Sequence, residues 1–210
     1  MKARRKIEQN RQQIYPLVQK EGNLSGMINT AGEHVELFGI TFSNITFVEL
    51  CNHLKARIES RMAGFIVTPN VDHVCLLDRD PGFRAIYARA AFVLADGKPL
   101  IWASKLLGRP IQQKLSGSDL VPWLSAFAAE NGYSIFLLGA APGVAEEAAE
   151  VLAKRHPRLR VAGVYAPPLG FENNRDENRR AIDAIRQVSP DICFVALGSP
   201  RQEKWIDTYQ

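Results

Sequence analysis

Short apolar runs alternate with amphipathic stretches along most of this chain of 210 residues. The runs that indicate strands are GFIVTPN (64–70), FVLAD (92–96), YSIFLLG (133–139), LRVAGVY (159–165) and DICFVALG (191–198). Apolar residues between them recur at helical spacing and predict helices over about 71–90, 98–107 and 118–131, from Pro142, over 176–188 and from Gln202. Strands that are apolar throughout and alternate with helices predict an α/β fold, a mostly parallel sheet with helices on both faces.

The first 62 residues follow a different pattern. Residues 1–33 are polar, with glycine and asparagine toward the end, and predict a helix followed by a linker. Residues 34–43 carry β-branched and aromatic side chains around Gly39, and predict an extended pair or a bent strand. Helical spacing returns over 46–62. We therefore divide the chain into an N-terminal segment, 1–33, and one α/β domain, 34–210.

The net charge of +4 is concentrated at the N-terminus. Residues 1–20 contain six basic residues and one acidic residue, and the rest of the chain has 20 basic and 21 acidic residues. Such an arm is either a solvated tail or a contact for anionic lipid or nucleic acid. Because nucleic-acid binding needs cations distributed over the protein, the near-neutral remainder argues against a nucleic-acid partner.

Other composition signals mainly exclude function classes. The three cysteines lack C-x-x-C spacing, which favours a reducing cytosol. No apolar window reaches the ~18 residues of a membrane span. The histidines lack metal-type spacing and no full dinucleotide-binding or Walker motif occurs, so we expect neither a metal nor a redox cofactor. We expect the three tryptophans to pack in the core or on helix faces: Trp102, Trp123 and Trp205.

Polar and glycine residues directly follow four of the predicted strands. Ligands of open α/β sheets bind beyond the carboxyl ends of the strands, so we expect these residues to line one edge of the sheet. The four groups are Thr68-Pro69-Asn70, Asp96-Gly97, Gly139-Ala140-Ala141-Pro142 and Gly198-Ser199-Pro200-Arg201-Gln202-Glu203. The sequence therefore predicts a ligand site built from distant parts of the chain.

Two of these groups have both a chemical and a structural interpretation. A carboxylate such as Asp96 can act as the base for an acceptor hydroxyl, or it can cap the helix that begins near Lys98. Thr68 and Asn70 offer a hydroxyl and an amide to a ligand, although Asn70 can also cap a helix. The sequence leaves these alternatives open.

The remaining candidates carry similar alternatives. The turn from Gly139 to Pro142 either presents backbone amides to a diphosphate or is only a tight connection. In the segment KLSGSD, Lys114 can neutralise a phosphate, while Asp119 can equally be a first-turn acid of the next helix. The helix dipole favours Glu203 in a first turn whether or not it meets a ligand.

Five segments in this order resemble one known family. They are TPN (68–70), ADG (95–97), KLSGSDL (114–120), FLLGAAPGVAEEAA (136–149) and LGSPRQEKWI (197–206). Together they are similar to the WecG/TagA/CpsF glycosyltransferases, from about residue 35 to the end. Each segment alone is weak evidence, whereas five in the right order are specific.

The resemblance implies an activity. Members of that family are inverting transferases with a Rossmann-like core, which transfer N-acetylmannosamine or its uronic acid from UDP to polyprenyl-diphosphate-linked GlcNAc without a metal. By similarity, Asp96 is the base, and Thr68 and Asn70 line its pocket. Gln202 is expected to contact the donor or the acceptor. The other candidate substrate-binding positions are Gly97, Lys114, Gly117, Asp119, Gly139, Gly198, Pro200, Arg201 and Glu203.

The same resemblance implies partners and a cellular location. A polyprenyl-linked acceptor implies a cytoplasmic protein at the inner face of the cell membrane, in the synthesis of a cell-surface polysaccharide. A homo-oligomer is compatible with the sequence.

The chain departs from the family pattern at two points. Lys114 stands where the family usually has arginine, and lysine keeps the charge but loses the forked contact that suits phosphate. The chain stops at Gln210, inside the predicted last helix, where family members continue with a glycine-rich strand and a basic tail. We therefore expect that tail to be lacking, which raises a second hypothesis: a non-catalytic protein that binds nucleotide-sugars on the same fold.

Overall fold

Strands and helices alternate through residues 34–210, the part of the chain that a computed structural model describes; the predicted helix and linker at 1–33 lie outside the described residues. The strands are β1 (His34–Leu37), β2 (Ile40–Ser43), β3 (Ile66–Val67), β4 (Phe92–Val93), β5 (Ser134–Gly139), β6 (Arg160–Tyr165) and β7 (Ile192–Ala196). The helices are α1 (Phe47–Glu59), α2 (Val71–Arg79), α3 (Pro81–Arg89), α4 (Lys98–Leu106), α5 (Gly117–Asn131), α6 (Val144–Arg155), α7 (Arg175–Val188) and α8 (Arg201–Tyr209). This order confirms the predicted α/β fold.

The first two strands form an antiparallel hairpin. Leu37 pairs with Ile40, so the loop contains only Phe38 and Gly39. Both loop residues have positive φ, +54° and +67°, as a two-residue hairpin turn of this hand requires. The structure therefore confirms the extended pair that was predicted around Gly39.

The other strands pair in parallel, as the apolar runs predict. β3 pairs with β4, and β5 lies between β6 and β7 in a second sheet. All six residues of β5 are buried, which explains why this run is apolar almost throughout. In the described residues, however, the hydrogen-bonded pairs form two separate parallel sheets rather than one.

Three helices differ from the prediction by more than one residue, and the first of them, predicted over 46–62, spans Phe47–Glu59. The helix predicted over 71–90 is two helices, α2 and α3, because Pro81 starts a new helix and Asp80 caps it by accepting a 2.9 Å hydrogen bond from the Phe83 N–H. The helix predicted to open at Pro142 begins at Val144 instead.

Helix α8 packs across both halves of the domain. Ile206 lies against the core around β3 and β4 and also against the core around β5. The Arg89 guanidinium on α3 donates two 2.7 Å hydrogen bonds to the Asp207 carboxylate. The indole N–H of Trp205 donates a 2.7 Å hydrogen bond to Asn178 on α7. The two parallel sheets are therefore joined through α8.

The tryptophans meet the packing expectation in two cases out of three. Trp205 is 7% exposed, and Trp123 packs edge-on against Phe47 with ring centroids 5.1 Å apart. Trp102, on α4, is 65% exposed, so the expectation is wrong for this residue. Helical spacing marks an apolar face but does not show that anything covers it.

None of the helices described between residues 34 and 210 combines the length and the apolar composition that crossing a bilayer requires.

Replacing Gly139 with alanine should destabilise the fold more than the same change at Gly143. Both glycines have positive φ, but only at Gly139 would the new Cβ collide with backbone, at the carbonyl of Ala196 on β7. We expect Gly139→Ala to lower the free energy of unfolding by ~2 kcal/mol or more beyond the control, in urea denaturation. Equal losses in the two variants would contradict the close approach of β5 and β7.

Candidate functional site

Three segments that are distant in sequence meet beyond the ends of β3 and β4. The Asp96 N–H donates a 2.9 Å hydrogen bond to the Pro69 carbonyl, and the Leu115 N–H donates a 3.0 Å bond to the Ala95 carbonyl. A Cβ on Gly117 would lie 3.1 Å from the Thr68 hydroxyl oxygen. The loop after β3, the segment after β4 and the residues that lead into α5 therefore form one cluster.

Asp96 is not the cap of the following helix. The N-cap of α4 is Gly97, with a φ of +100°, and no side-chain hydrogen bond caps that helix end among residues 34–210. The capping alternative for Asp96 is therefore wrong. A glycine is well suited at this position, because the positive φ is strained for other residues.

The environment of Asp96 makes its carboxyl group a better proton acceptor. Burial raises the pKa of Asp96 above its ordinary value, against the opposing effects of Lys114 and of a hydrogen bond from the Gly117 N–H. The nearby carboxylate of Asp119 raises the pKa further, and His73 lowers it. The net direction is upward, which brings a carboxyl group closer to the pH at which a general base is most effective.

Lys114 is already engaged by its own segment. Its ammonium group donates hydrogen bonds to the Ser116 hydroxyl, at 2.9 Å, and to the Asp119 carboxylate. The Ser116 hydroxyl also donates a 2.6 Å bond to Asp119. Asp119 lies in the first turn of α5, as its structural interpretation predicted. A phosphate that binds Lys114 would therefore share this cation with Asp119.

Asn70 caps α2, which confirms its structural interpretation. The Asn70 side chain accepts a 3.1 Å hydrogen bond from the His73 N–H, and the Asn70 N–H donates a 3.3 Å bond to Nδ1 of His73. The two residues thus satisfy each other across the helix start.

His73 connects this cap to Glu203 on α8. Nε2 of His73 lies 3.6 Å from the Glu203 carboxylate, which is 3% exposed and also accepts a 3.2 Å bond from the Gln202 amide. Burial alone would raise the pKa of Glu203, but hydrogen bonds from His73, from its own backbone N–H and from Gln202 outweigh it and the pKa is lowered. Glu203 is in the first turn of α8, as predicted, but it faces inward.

Two buried oxygen atoms beside this contact have no hydrogen-bond partner among the described residues. They are the hydroxyl of Tyr87 and the second carboxylate oxygen of Glu203. Burial, followed by the charge of Glu203, raises the pKa of Tyr87. His73 and Tyr87 are absent from the sequence-based candidates. His73 was recognisable only as the third residue after a helix cap, and nothing in the sequence marked Tyr87.

The other candidates gather after β5 and β7. The Ala140 N–H donates a 2.9 Å hydrogen bond to the Ala196 carbonyl, and the Gly198 N–H donates a 3.2 Å bond to the Gln202 side chain. The first of these bonds fixes the start of the turn after β5 and leaves both interpretations of that turn open. Pro200 is the N-cap of α8, and Arg201 lies 3.6 Å from Glu172.

The candidates thus form two clusters rather than a single continuous edge. One lies after β3 and β4 and the other after β5 and β7, at the ends of two separate parallel sheets. The contact between His73 and Glu203 joins them.

Comparison with known proteins identifies the family. The sequence profile described as "Glycosyl transferase WecG/TagA/CpsF family" matches residues 35–210. The chain belongs to this family. It is therefore a glycosyltransferase by descent, and the resemblance drawn from the five sequence segments is confirmed.

Named relatives agree with this membership. The chain is 29% identical over 184 residues to the N-acetylglucosaminyldiphosphoundecaprenol N-acetyl-beta-D-mannosaminyltransferase of Staphylococcus aureus strain NCTC 8325 / PS 47. The match covers 87% of this chain and 69% of the relative. The protein of the same name from strain MRSA252 matches with the same identity and coverage.

Asp96→Asn should stabilise the fold at pH 7. Because the folded-state pKa of Asp96 is raised, the folded protein binds this proton more tightly than the unfolded chain, and ionisation destabilises the fold as pH rises. We expect a gain of up to about 1 kcal/mol at pH 7, limited by the partial exposure of the group. Chemical denaturation should show that this gain shrinks toward pH ~4, near the ordinary aspartate pKa.

The matched control is Asp119→Asn, which removes the ion-pair partner of Lys114 and should lower stability. A loss of stability at pH 7 in Asp96→Asn would contradict the raised pKa.

Proposed function

We propose that this chain is an inverting glycosyltransferase that moves an N-acetylmannosamine-type sugar from a UDP-sugar to a polyprenyl-diphosphate-linked sugar. The reaction would take place at the inner face of the cell membrane, in the synthesis of a cell-surface polysaccharide. The observation that carries the proposal is Asp96, a partly buried carboxyl group with a raised pKa three residues after β4, in a chain whose relatives are named as N-acetylmannosaminyltransferases.

In this proposal Asp96 is the catalytic base. Its carboxylate accepts the proton of the acceptor hydroxyl while that oxygen attacks the anomeric carbon and the bond to UDP breaks. A single displacement from the face opposite the leaving group inverts the configuration of the sugar. The cluster around Asp96 supplies groups for orientation, with the Thr68 hydroxyl beside Gly117 and the Asn70 amide in the adjoining cap.

The departing UDP needs positive charge and hydrogen-bond donors. Lys114 is the cation next to Asp96, and its interaction with Asp119 holds the ammonium group in place. The turn between Gly139 and Val144 brings backbone N–H groups to the start of α6, a favourable setting for a diphosphate. Arg201 and Gln202 begin α8, and the Gln202 side chain accepts a hydrogen bond from the Gly198 N–H. We assign the base to the cluster after β3 and β4, and we assign contacts with the nucleotide to both clusters.

Asp96→Asn should abolish transfer while leaving donor binding intact, because asparagine keeps the shape of the side chain but cannot accept the proton. We expect UDP release in the presence of UDP-N-acetylmannosamine and a short-chain lipid-diphosphate-GlcNAc to fall by roughly 100-fold or more. UDP affinity, measured by calorimetry, should stay within about threefold of the parent protein.

The control for that experiment is Asp183→Asn, which changes an exposed aspartate on α7 outside both clusters and should leave turnover unchanged. Near-normal turnover in Asp96→Asn would eliminate Asp96 as the base. UDP binding without release by the parent protein, over several donor and acceptor sugars, would favour the second hypothesis of a non-catalytic nucleotide-sugar-binding protein.

Lys114→Met should weaken the use of the UDP-sugar, since methionine keeps most of the stem length and removes the charge. We expect kcat/KM for the donor to fall roughly tenfold or more, the effect of losing one charged hydrogen bond to phosphate. Lys114→Arg, which restores the residue usual in this family, should retain most of the activity. An unchanged kcat/KM in Lys114→Met would show that Lys114 does not meet the diphosphate.

A further inference from the structure

Helix α4 and the residue after it expose large apolar side chains. Trp102 is 65% exposed, Leu106 is 88% exposed, and the two lie one turn apart on the same face of the helix. Leu107, directly after the helix, is 54% exposed. These three residues expose apolar surface along the second half of α4 and directly after it, and a protein in water gains nothing from leaving such side chains uncovered.

The charged residues of α4 and of the segment that follows it all have one sign, although the Arg109 guanidinium also reaches the hairpin and donates a 3.0 Å hydrogen bond to the Glu36 carbonyl. Lys98, Lys105 and Arg109 are exposed, and the segment from Gly97 to Ser118 contains no aspartate or glutamate. In the whole chain after residue 20, acidic residues slightly outnumber basic ones, so this segment stands out against a near-neutral protein. We call the six exposed residues the α4 patch, and they are Lys98, Trp102, Lys105, Leu106, Leu107 and Arg109.

Apolar side chains rimmed by cations match the surface of an anionic bilayer. Tryptophan and leucine insert at the level of the lipid headgroups, while lysine and arginine remain at the surface and attract anionic lipids. A second copy of this chain fits less well, because a two-fold contact would bring the same cations together. The N-terminal segment 1–33 fits less well for the same reason, since it is also rich in basic residues.

The α4 patch is also next to the candidate base. α4 begins at Lys98, two residues after Asp96, and its nine residues span about 13 Å at ~1.5 Å each. We propose that the α4 patch docks the enzyme on an anionic lipid bilayer and so brings Asp96 to the headgroup level. The benefit to catalysis rests on the proposed function, since only a lipid-linked acceptor presents its reacting sugar there; the docking itself does not.

The test is flotation of the full chain with two kinds of vesicle, one of phosphatidylglycerol and phosphatidylethanolamine and one of phosphatidylcholine alone. The parent protein should bind the anionic vesicles. The affinity of Trp102→Gln/Leu106→Gln for these vesicles should be lower by roughly tenfold or more, because the apolar side chains no longer insert. Lys98→Gln/Lys105→Gln should lose the preference for the anionic vesicles. Unchanged flotation of both double variants would overturn the proposal.

A matched control keeps the result specific. Met62→Gln/Leu169→Gln changes two side chains that are 58% and 92% exposed, lie outside α4 and should not affect vesicle binding. An equal loss of binding in this control would also overturn the proposal. All variants should retain the thermal transition of the parent protein, since the substituted side chains are mostly in solvent.

Transfer assays separate this proposal from the proposed function. Trp102→Gln/Leu106→Gln should act normally on a water-soluble short-chain acceptor and lose activity only on a long-chain acceptor embedded in anionic vesicles. If the parent protein transfers to neither acceptor, the proposed function fails while the flotation result still decides the docking. Dissociation of a dimer in the variant, with vesicle binding unchanged, would overturn the proposal in favour of a second copy.

Discussion

The two clusters of the candidate site are held together by the contact between the buried carboxylate of Glu203 and the ring of His73. A charge removed from water is tolerated where other groups compensate it, and here the compensation comes from two elements, His73 on α2 and Gln202 on α8. Because His73 is also half of the cap that shapes the loop after β3, the position of α8 and the form of that loop depend on each other. The two parallel sheets, which share no hydrogen-bonded strand pair among the described residues, are joined at this point.

Much of the fold followed from the apolar pattern, and the errors have physical causes. The runs at 133–139, 159–165 and 191–198 are strands because the backbone of β5 pairs with β6 on one side and with β7 on the other. The break at Asp80 and Pro81 was missed since apolar spacing continues through both helices, although proline at a first helical position was a visible signal. The exposure of Trp102 was not predictable, because periodicity reports which face is apolar and not what packs on it.

The site was predictable where it depends on strand ends and unpredictable where it depends on tertiary contacts. Thr68 and Asp96 come together because parallel strands carry their following loops to the same side. Gly117 joins them because the Leu115 N–H, two residues earlier, bonds to the Ala95 carbonyl. The sequence did not show which residue would be the N-cap of α4. In the structure it is Gly97, with a φ of +100°, and not Asp96. Glu203 faces inward and contacts His73 only because α8 packs against α2. A glutamate in the first turn of a helix does not by itself predict such a contact.

The position of α8 between the two sheets has a consequence for how the chain folds during its synthesis. A protein is synthesised from its N-terminus, at ~5–20 residues per second, and its parts begin to fold as they emerge. The loop after β3 and the residues around Asp96 emerge early, whereas Glu203, which completes the contact with His73, follows all seven strands described between residues 34 and 210. Until Glu203 has emerged from the ribosome, the cap that His73 forms with Asn70 therefore lacks the carboxylate that it meets in the folded protein.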